Sequence, residues 1–156
     1  MDVIIGVFIF ILGSLVGSFL NVCIVRMPKE ESVIAPRSHC IHCNKMIPWY
    51  DNIPLVSFFL LKRKCRFCKA KISVRYVLVE LITALSFLGF YLYFGFDLIL
   101  WPYLVMLCGF IVATFVDIEY RIIPDEITIG GAVAGLLFSF LVPELHQTSN
   151  HFLGGL

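Results

Sequence analysis

Charge is scarce in this chain. Only 15% of its 156 residues are Asp, Glu, Lys or Arg, against about a quarter in ordinary soluble domains. Before Arg26 there is no Lys or Arg, and the one acidic residue is Asp2. A secretory leader needs a basic start and a small-residue cleavage site; both are missing here, so the first apolar stretch is expected to persist as a helix. No G-x-G-x-x-G turn follows a strand, which leaves a nucleotide-binding βαβ fold without support. What fills the space is apolar: 60% of the residues are hydrophobic and the mean hydropathy is +0.93. These values exclude a soluble globular domain and indicate a membrane protein.

A bilayer core requires about 20 apolar residues per helix. Four stretches approach that length: Val3 to Val25, Val77 to Phe96, Leu98 to Val116 and Ile127 to Val142, with the start of a fifth at His151. The expected fold is therefore an all-α polytopic membrane protein. Eleven of the twelve Lys and Arg lie between Arg26 and Arg75, and the twelfth is Arg121. Positively charged loops stay inside, which predicts a cytoplasmic 26–75 segment and an external Met1. The loops at 95–97 and 143–151 lack Lys and Arg and fit the external side.

The inside loop contains two C-x-x-C pairs, Cys40 with Cys43 and Cys65 with Cys68. Two knuckles that each offer two thiolates suit a tetrahedral, structural zinc ion with no open coordination position. Lys45, Lys64, Arg66 and Lys69 offset the charge of four thiolates. Disulfides are the alternative, disfavoured in a reducing compartment, as are reduced cysteines without a metal. Metal would supply folding energy that so short a loop lacks. Basic residues interleaved with aromatics also suit single-stranded nucleic acid, but membrane topology and anionic headgroups already account for them. Cys23 and Cys108 read as packing residues.

Polar residues inside the apolar stretches are the other candidates. Gly13 and Gly17 form a small-xxx-small pair, with Ser14, Ser18 and Asn21 on one face, and Gly131 and Gly135 repeat the pattern. Asn21 either locks helices together or positions a substrate. Glu80 is expensive in lipid unless paired; Arg75 is its nearest candidate partner, and substrate or cofactor binding is the other reading. Asp117 follows an uncharged run directly and is expected at the cytoplasmic membrane edge, where partial desolvation tunes a carboxyl for chemistry. Its plainer reading is an ion pair with Arg121 at i+4. Asp125, after Pro124, is expected to cap the next helix.

The motifs "GSFLNVCIVRMP" at 17–28, "RSHCIHC", "WYDNIPLVSFFLL", "CRFC", "RYVLVEL" and "DIEYRIIPDEIT" occur in this order. Together they resemble the amino-terminal part of the type IV prepilin peptidases, which are bifunctional leader peptidases and N-methyltransferases. The resemblance implies an integral inner-membrane aspartic endopeptidase. Its substrates would be type IV prepilins and type II secretion pseudopilins, cleaved at their basic leaders, with S-adenosylmethionine as methyl donor to the new amino terminus. It assigns Asp117 as one catalytic aspartate and Cys40, Cys43, Cys65 and Cys68 as metal ligands, and names no S-adenosylmethionine site. The division it suggests is a first transmembrane helix (1–25), a cytoplasmic four-cysteine loop (26–76) and a membrane-embedded peptidase domain (77–156).

Two features depart from that pattern. The second catalytic aspartate of the family sits in a G-x-G-D motif, which this sequence lacks, so the peptidase domain is expected to be truncated and, by itself, inactive as a protease. Arg63 stands where relatives often carry Gly. The competing reading is a non-catalytic, membrane-embedded zinc module that binds a pilus or secretion assembly partner; a transporter would instead place ionisable groups near mid-bilayer.

Overall fold

The computed structural model describes residues 3–122 and 124–142. Among them the chain is helical, without strands. It comprises α1 (Val3–Arg26), the short α2 (Val56–Leu60) within the cysteine loop, α3 (Val74–Phe94), α4 (Leu100–Tyr120) and α5 (Asp125–Leu141). α1, α3 and α4 are long and apolar enough to cross a membrane. α5, with 17 residues, matches the fourth expected stretch and lies at the lower end of the spanning range. The fifth stretch expected at His151 lies outside the described residues.

Apolar sequence becomes helix here because lipid offers backbone groups no partners, so each segment satisfies its own. The ends are set by local chemistry. Ser73 caps α3, its hydroxyl accepting from the Arg75 N–H at 3.2 Å. Gly95, at φ +67, ends that helix. Pro102 is tolerated in the first turn of α4, where an N–H would lack an intrahelical partner. Arg121 closes α4 in the left-handed conformation, its N–H donating to the Asp117 carbonyl at 2.9 Å.

α1 lies most closely against α3, for the reason its glycines suggested. A Cβ on Gly13 would come to 2.8 Å from Ala84 Cα, and one on Gly17 to 2.8 Å from Glu80 Cα. Around this contact α1, α3 and α4 bury Ile24, Val79 and Val116 completely. Toward the other end Ile9, Phe87, Tyr91, Leu100 and Leu104 form a second cluster. Phe8, Phe110 and Phe140 face outward, as a lipid-facing surface requires. Gly131 and Gly135 differ from the expectation: no described atom lies within 4 Å of a Cβ at either position, and α5 buries no residue.

Candidate metal centre and the adjoining cavity

The two C-x-x-C segments fold as the same knuckle twice. In the first, Cys40 N–H donates to Lys45 O at 3.0 Å and Asn44 N–H to Cys40 O at 2.8 Å; in the second, Cys65 N–H donates to Ala70 O at 2.9 Å and Lys69 N–H to Cys65 O at 3.1 Å. Asn44 and Lys69, equivalent positions, both have positive φ (53 and 60). Bridges between His39 and Met46 and between Lys64 and Lys71 close each turn. This repeated geometry brings Cys40, Cys43, Cys65 and Cys68 together with all four sulfurs within 4.8 Å of one another. Cys40 and Cys68 Sγ are 3.7 Å apart, close to the separation of about 3.8 Å that Zn–S bonds of about 2.3 Å impose in a tetrahedron. All six cysteines are free, so the disulfide alternative is not adopted. Four thiols and no further ligand fit a closed structural zinc site.

The sulfurs are not equivalent before metal enters. The N–H groups of Cys68 and Phe67 hydrogen-bond Cys65 and, against the desolvation of its surroundings, lower its pKa to about 6. Cys68 moves the other way, to about 11: the Ala70 N–H favours its thiolate, but desolvation and hydrogen bonds to Cys65, Cys43 and Cys40 outweigh it. One thiolate is thus stabilised by backbone donors while its neighbour holds a proton. The second knuckle is tied to the preceding turn by a bidentate pair, Arg66 Nε and Nη2 donating to Asp51 at 2.6 and 2.5 Å. That contact holds the Asp51 carboxyl below its usual range.

Between the knuckles and the adjoining ends of α1 and α3 lies a cavity of about 480 Å³. Its helix side presents Ser18, Asn21, Tyr76 and Glu80; its loop side includes Lys29, Lys45 and Lys71. Asn21 is 1% exposed. Its Nδ2 donates to Tyr76 O at 3.0 Å and Gly17 O at 3.3 Å, while Oδ1 has no partner. Glu80 is also buried and does not pair with Arg75 as expected. Its Oε2 accepts the Leu55 N–H at 2.8 Å, with the Ser18 hydroxyl as a second hydrogen-bonding neighbour. Arg75 instead forms an ion pair with Glu119, near the end of α4. Lipid penalises a lone carboxylate; the Leu55 N–H brought in by the loop and the Ser18 hydroxyl are the donors that satisfy Glu80, while Arg75 reaches across to Glu119.

Asp117 lies in the last turn of α4 and is exposed. The Arg75–Glu119 pair places that turn beside the start of α3, at the end of the bundle that carries the cysteine loop. Asp117 does not line the cavity. Its expected ion pair with Arg121 is not among those of the described residues, which are Arg66–Asp51 and Arg75–Glu119; Arg121 interacts with it through the backbone. The capping expectation for Asp125 needs correction. Pro124 occupies the cap position and Asp125 is the first helical residue, making no side-chain capping bond. It complements the helix dipole instead.

The family model for the bacterial peptidase A24 N-terminal domain matches residues 11–94, from α1 through the cysteine loop to the end of α3. The chain belongs to this family. A prepilin leader peptidase/N-methyltransferase from Myxococcus xanthus is 44% identical over 135 residues, covering 86% of this chain and 40% of that protein. One of the same name from Pectobacterium carotovorum is 38% identical over 150 residues, covering 83% and 54%. Another from Bacillus subtilis is 37% identical over 121 residues, covering 78% and 49%. The chain spans about half the length of the curated relatives it matches. No solved structure matches it. The family match includes the four cysteines and Glu80 and ends before Asp117.

One feature of this family member escaped the sequence. Arg26 looked like one more cytoplasmic cation. It is 7% exposed, and its guanidinium donates to Ser32 O at 2.8 Å and Pro36 O at 2.7 Å, folding the loop back over the end of α1. No local pattern signals a bond to carbonyls six and ten residues on. Arg63, already singled out in the sequence as a departure from the family pattern, has φ +60, a conformation that glycine adopts without steric cost.

Proposed function

We propose that this chain is the amino-terminal part of a prepilin leader peptidase and N-methyltransferase, acting on type IV prepilins and type II secretion pseudopilins at the cytoplasmic face of the inner membrane. The observation that carries the reading is the family match over the cysteine loop and its flanking helices, with relatives of that name at 33–44% identity. A leader rich in basic residues would meet the membrane on the side where Asp117 ends α4, the side that also carries the cysteine loop.

In this reading Asp117 is one half of an aspartic pair. One carboxylate takes a proton from water as its oxygen attacks the scissile carbonyl; the other, protonated, donates a hydrogen bond to the developing oxyanion. The proton then passes to the leaving amine as the C–N bond breaks, and the two titrations are coupled. In the family pattern its partner is the aspartate of a G-x-G-D motif, which these 156 residues do not contain. Cys40, Cys43, Cys65 and Cys68 hold a structural zinc ion that folds the loop. The division proposed for these roles is a first helix, a four-cysteine loop and a membrane-embedded part; the helix ends that bracket the loop are Arg26 and Val74.

The cavity suits the second activity. Its helix side offers the Glu80 carboxylate to a cationic centre, and its loop side offers Lys29, Lys45 and Lys71, interspersed with Glu31 and Asp51, to a carboxylate and to donors. Such a lining fits S-adenosylmethionine, which when bound supplies an activated methyl group for an amine; its volume falls within the range of cofactor pockets.

The test is cleavage of a purified prepilin by the full product of the gene in detergent. Asp117→Asn is expected to abolish processing, on the order of a thousandfold or more for an acid/base group that also positions water, while Asp125→Asn retains it. Full activity in folded Asp117→Asn protein would overturn the peptidase reading in favour of the non-catalytic zinc module.

A further inference from the structure

Leu55 lies deeper than its place in a polar loop suggests. Its N–H is bound by Glu80, and Glu80 is six residues, or about 9 Å of helix, beyond the start of the membrane-spanning α3. Because the Glu80 side chain leans back toward the start of its helix, the chain descends along the bundle to within the first two turns of α3 before it returns. The descent is built for that depth. Pro54 is buried, and Ser57 is buried too, accepting from the Ile53 N–H at 3.0 Å and donating to Tyr50 O at 3.1 Å. Irregular backbone at membrane depth is tolerated when protein satisfies its polar groups in this way.

The apolar side chains just after Leu55 point away from the protein. In α2, Val56, Phe59 and Leu60 are 49%, 71% and 75% exposed. Immediately after α2 come Lys62, Arg63 and Lys64, all exposed. Lys62 and Arg63 both have positive φ, so the chain reverses there. Arg63 packs over Phe58 at 5.7 Å, which keeps the cations beside the apolar turn. In water this would be an apolar patch with no reason to stay uncovered; next to a bilayer it has the composition of an interfacial anchor.

We propose that α2 and the Lys62–Lys64 run form a membrane-docking element. Phe59 and Leu60 enter the acyl boundary of the bilayer that α1, α3 and α4 cross, while Lys62, Arg63 and Lys64 bind anionic headgroups. The occupant is lipid and not another protein because the Glu80–Leu55 bond sets the depth and the charge run complements an anionic surface. The element holds the cysteine knuckles and the cavity beneath them at the water–lipid boundary. None of this depends on the peptidase reading.

The test is fluorescence of a Phe59→Trp variant of the full chain in nanodiscs, taken as the difference from wild type, which has Trp49 and Trp101. The substitution exchanges one exposed aromatic for another, and helicity by circular dichroism checks the fold. Lipids brominated near the headgroup end of the acyl chains are expected to quench the added signal more than aqueous acrylamide does, because an interfacial side chain sits at the headgroup/acyl boundary. Quenching by acrylamide alone, or by neither agent, would overturn the proposal, the second result meaning that residue 59 is covered by protein. Adding phosphatidylglycerol to zwitterionic nanodiscs should increase bromolipid quenching. The combined Lys62→Gln, Arg63→Gln and Lys64→Gln variant should lose that increase, and its persistence would overturn the role of headgroups.

Discussion

Glu80 accepts a hydrogen bond from the backbone N–H of Leu55, 25 residues away in the sequence, at 2.8 Å. The bond joins the cysteine loop to α3 beside one of the two closest approaches of α1 to α3, where Gly17 meets Glu80 Cα. Leu55 adopts φ +61 to make it, a conformation that costs a leucine backbone energy, so the tether also opposes local strain.

Glu80→Ala should leave the part-buried Leu55 N–H without its acceptor and destabilise the protein by about 1 kcal/mol. Glu80→Gln keeps a carbonyl acceptor and should lose less. Thermal unfolding of the two variants in detergent, with hydrogen exchange at Leu55, would separate them; equal stability of Ala and Gln would refute the tether.

Gly17→Ala and Gly13→Ala place a methyl group 2.8 Å from α3 backbone atoms, which cannot swing aside as a side-chain tip can. Each should destabilise the helix pair by about 1–3 kcal/mol. Gly89→Ala, at a position with open space around it, should be neutral or better, since alanine is the stronger helix former. The comparison of unfolding midpoints among the three isolates packing from propensity.

Purified protein should contain one zinc ion per chain, lost on strong chelation or in Cys40→Ser and Cys65→Ser. Because metal binding supplies the loop's folding energy, its removal should abolish hydrogen-exchange protection at the Cys40, Asn44, Cys65 and Lys69 amides while leaving α1, α3 and α4 protected. Retained protection in zinc-free protein would show that the knuckles fold on hydrogen bonds alone.

The Arg66–Asp51 pair makes a pH prediction with a definite sign. The folded carboxyl is held below its ordinary value of 3.8, so ionisation is favoured by folding and the pair's contribution is complete at neutral pH, disappearing as pH falls through the folded value. Arg66 is about half exposed, at 48%, so solvent screening keeps the pair's contribution small. The gap in loop stability between wild type and Asp51→Asn should therefore stay constant while the pH is well above the ordinary carboxyl value of 3.8 and close as the pH falls below it. A gap that opens on acidification would contradict the assignment.

Much of this protein was determined by its sequence taken alone. Apolar run lengths defined the spanning helices because lipid leaves a backbone no alternative to helix, and the real boundaries moved by only a few residues, as at Val74 and Tyr120. The C-x-x-C spacing specified the thiol cluster because each knuckle is a local turn, and the small-xxx-small pair at Gly13 and Gly17 identified the contact face of α1. Only the tertiary structure decided the electrostatic partners. Arg75, five residues before Glu80, pairs with Glu119, which is 44 residues on, and Glu80 turns to a loop amide. Asp125 enters its helix as the first residue, leaving the cap position to Pro124. A side chain's partner is whatever lies within about 3 Å after the helices have packed, and sequence proximity predicts that only within a turn or two. The depth of Leu55, and with it the outward face of α2, has the same origin: one hydrogen bond between segments that the sequence keeps apart.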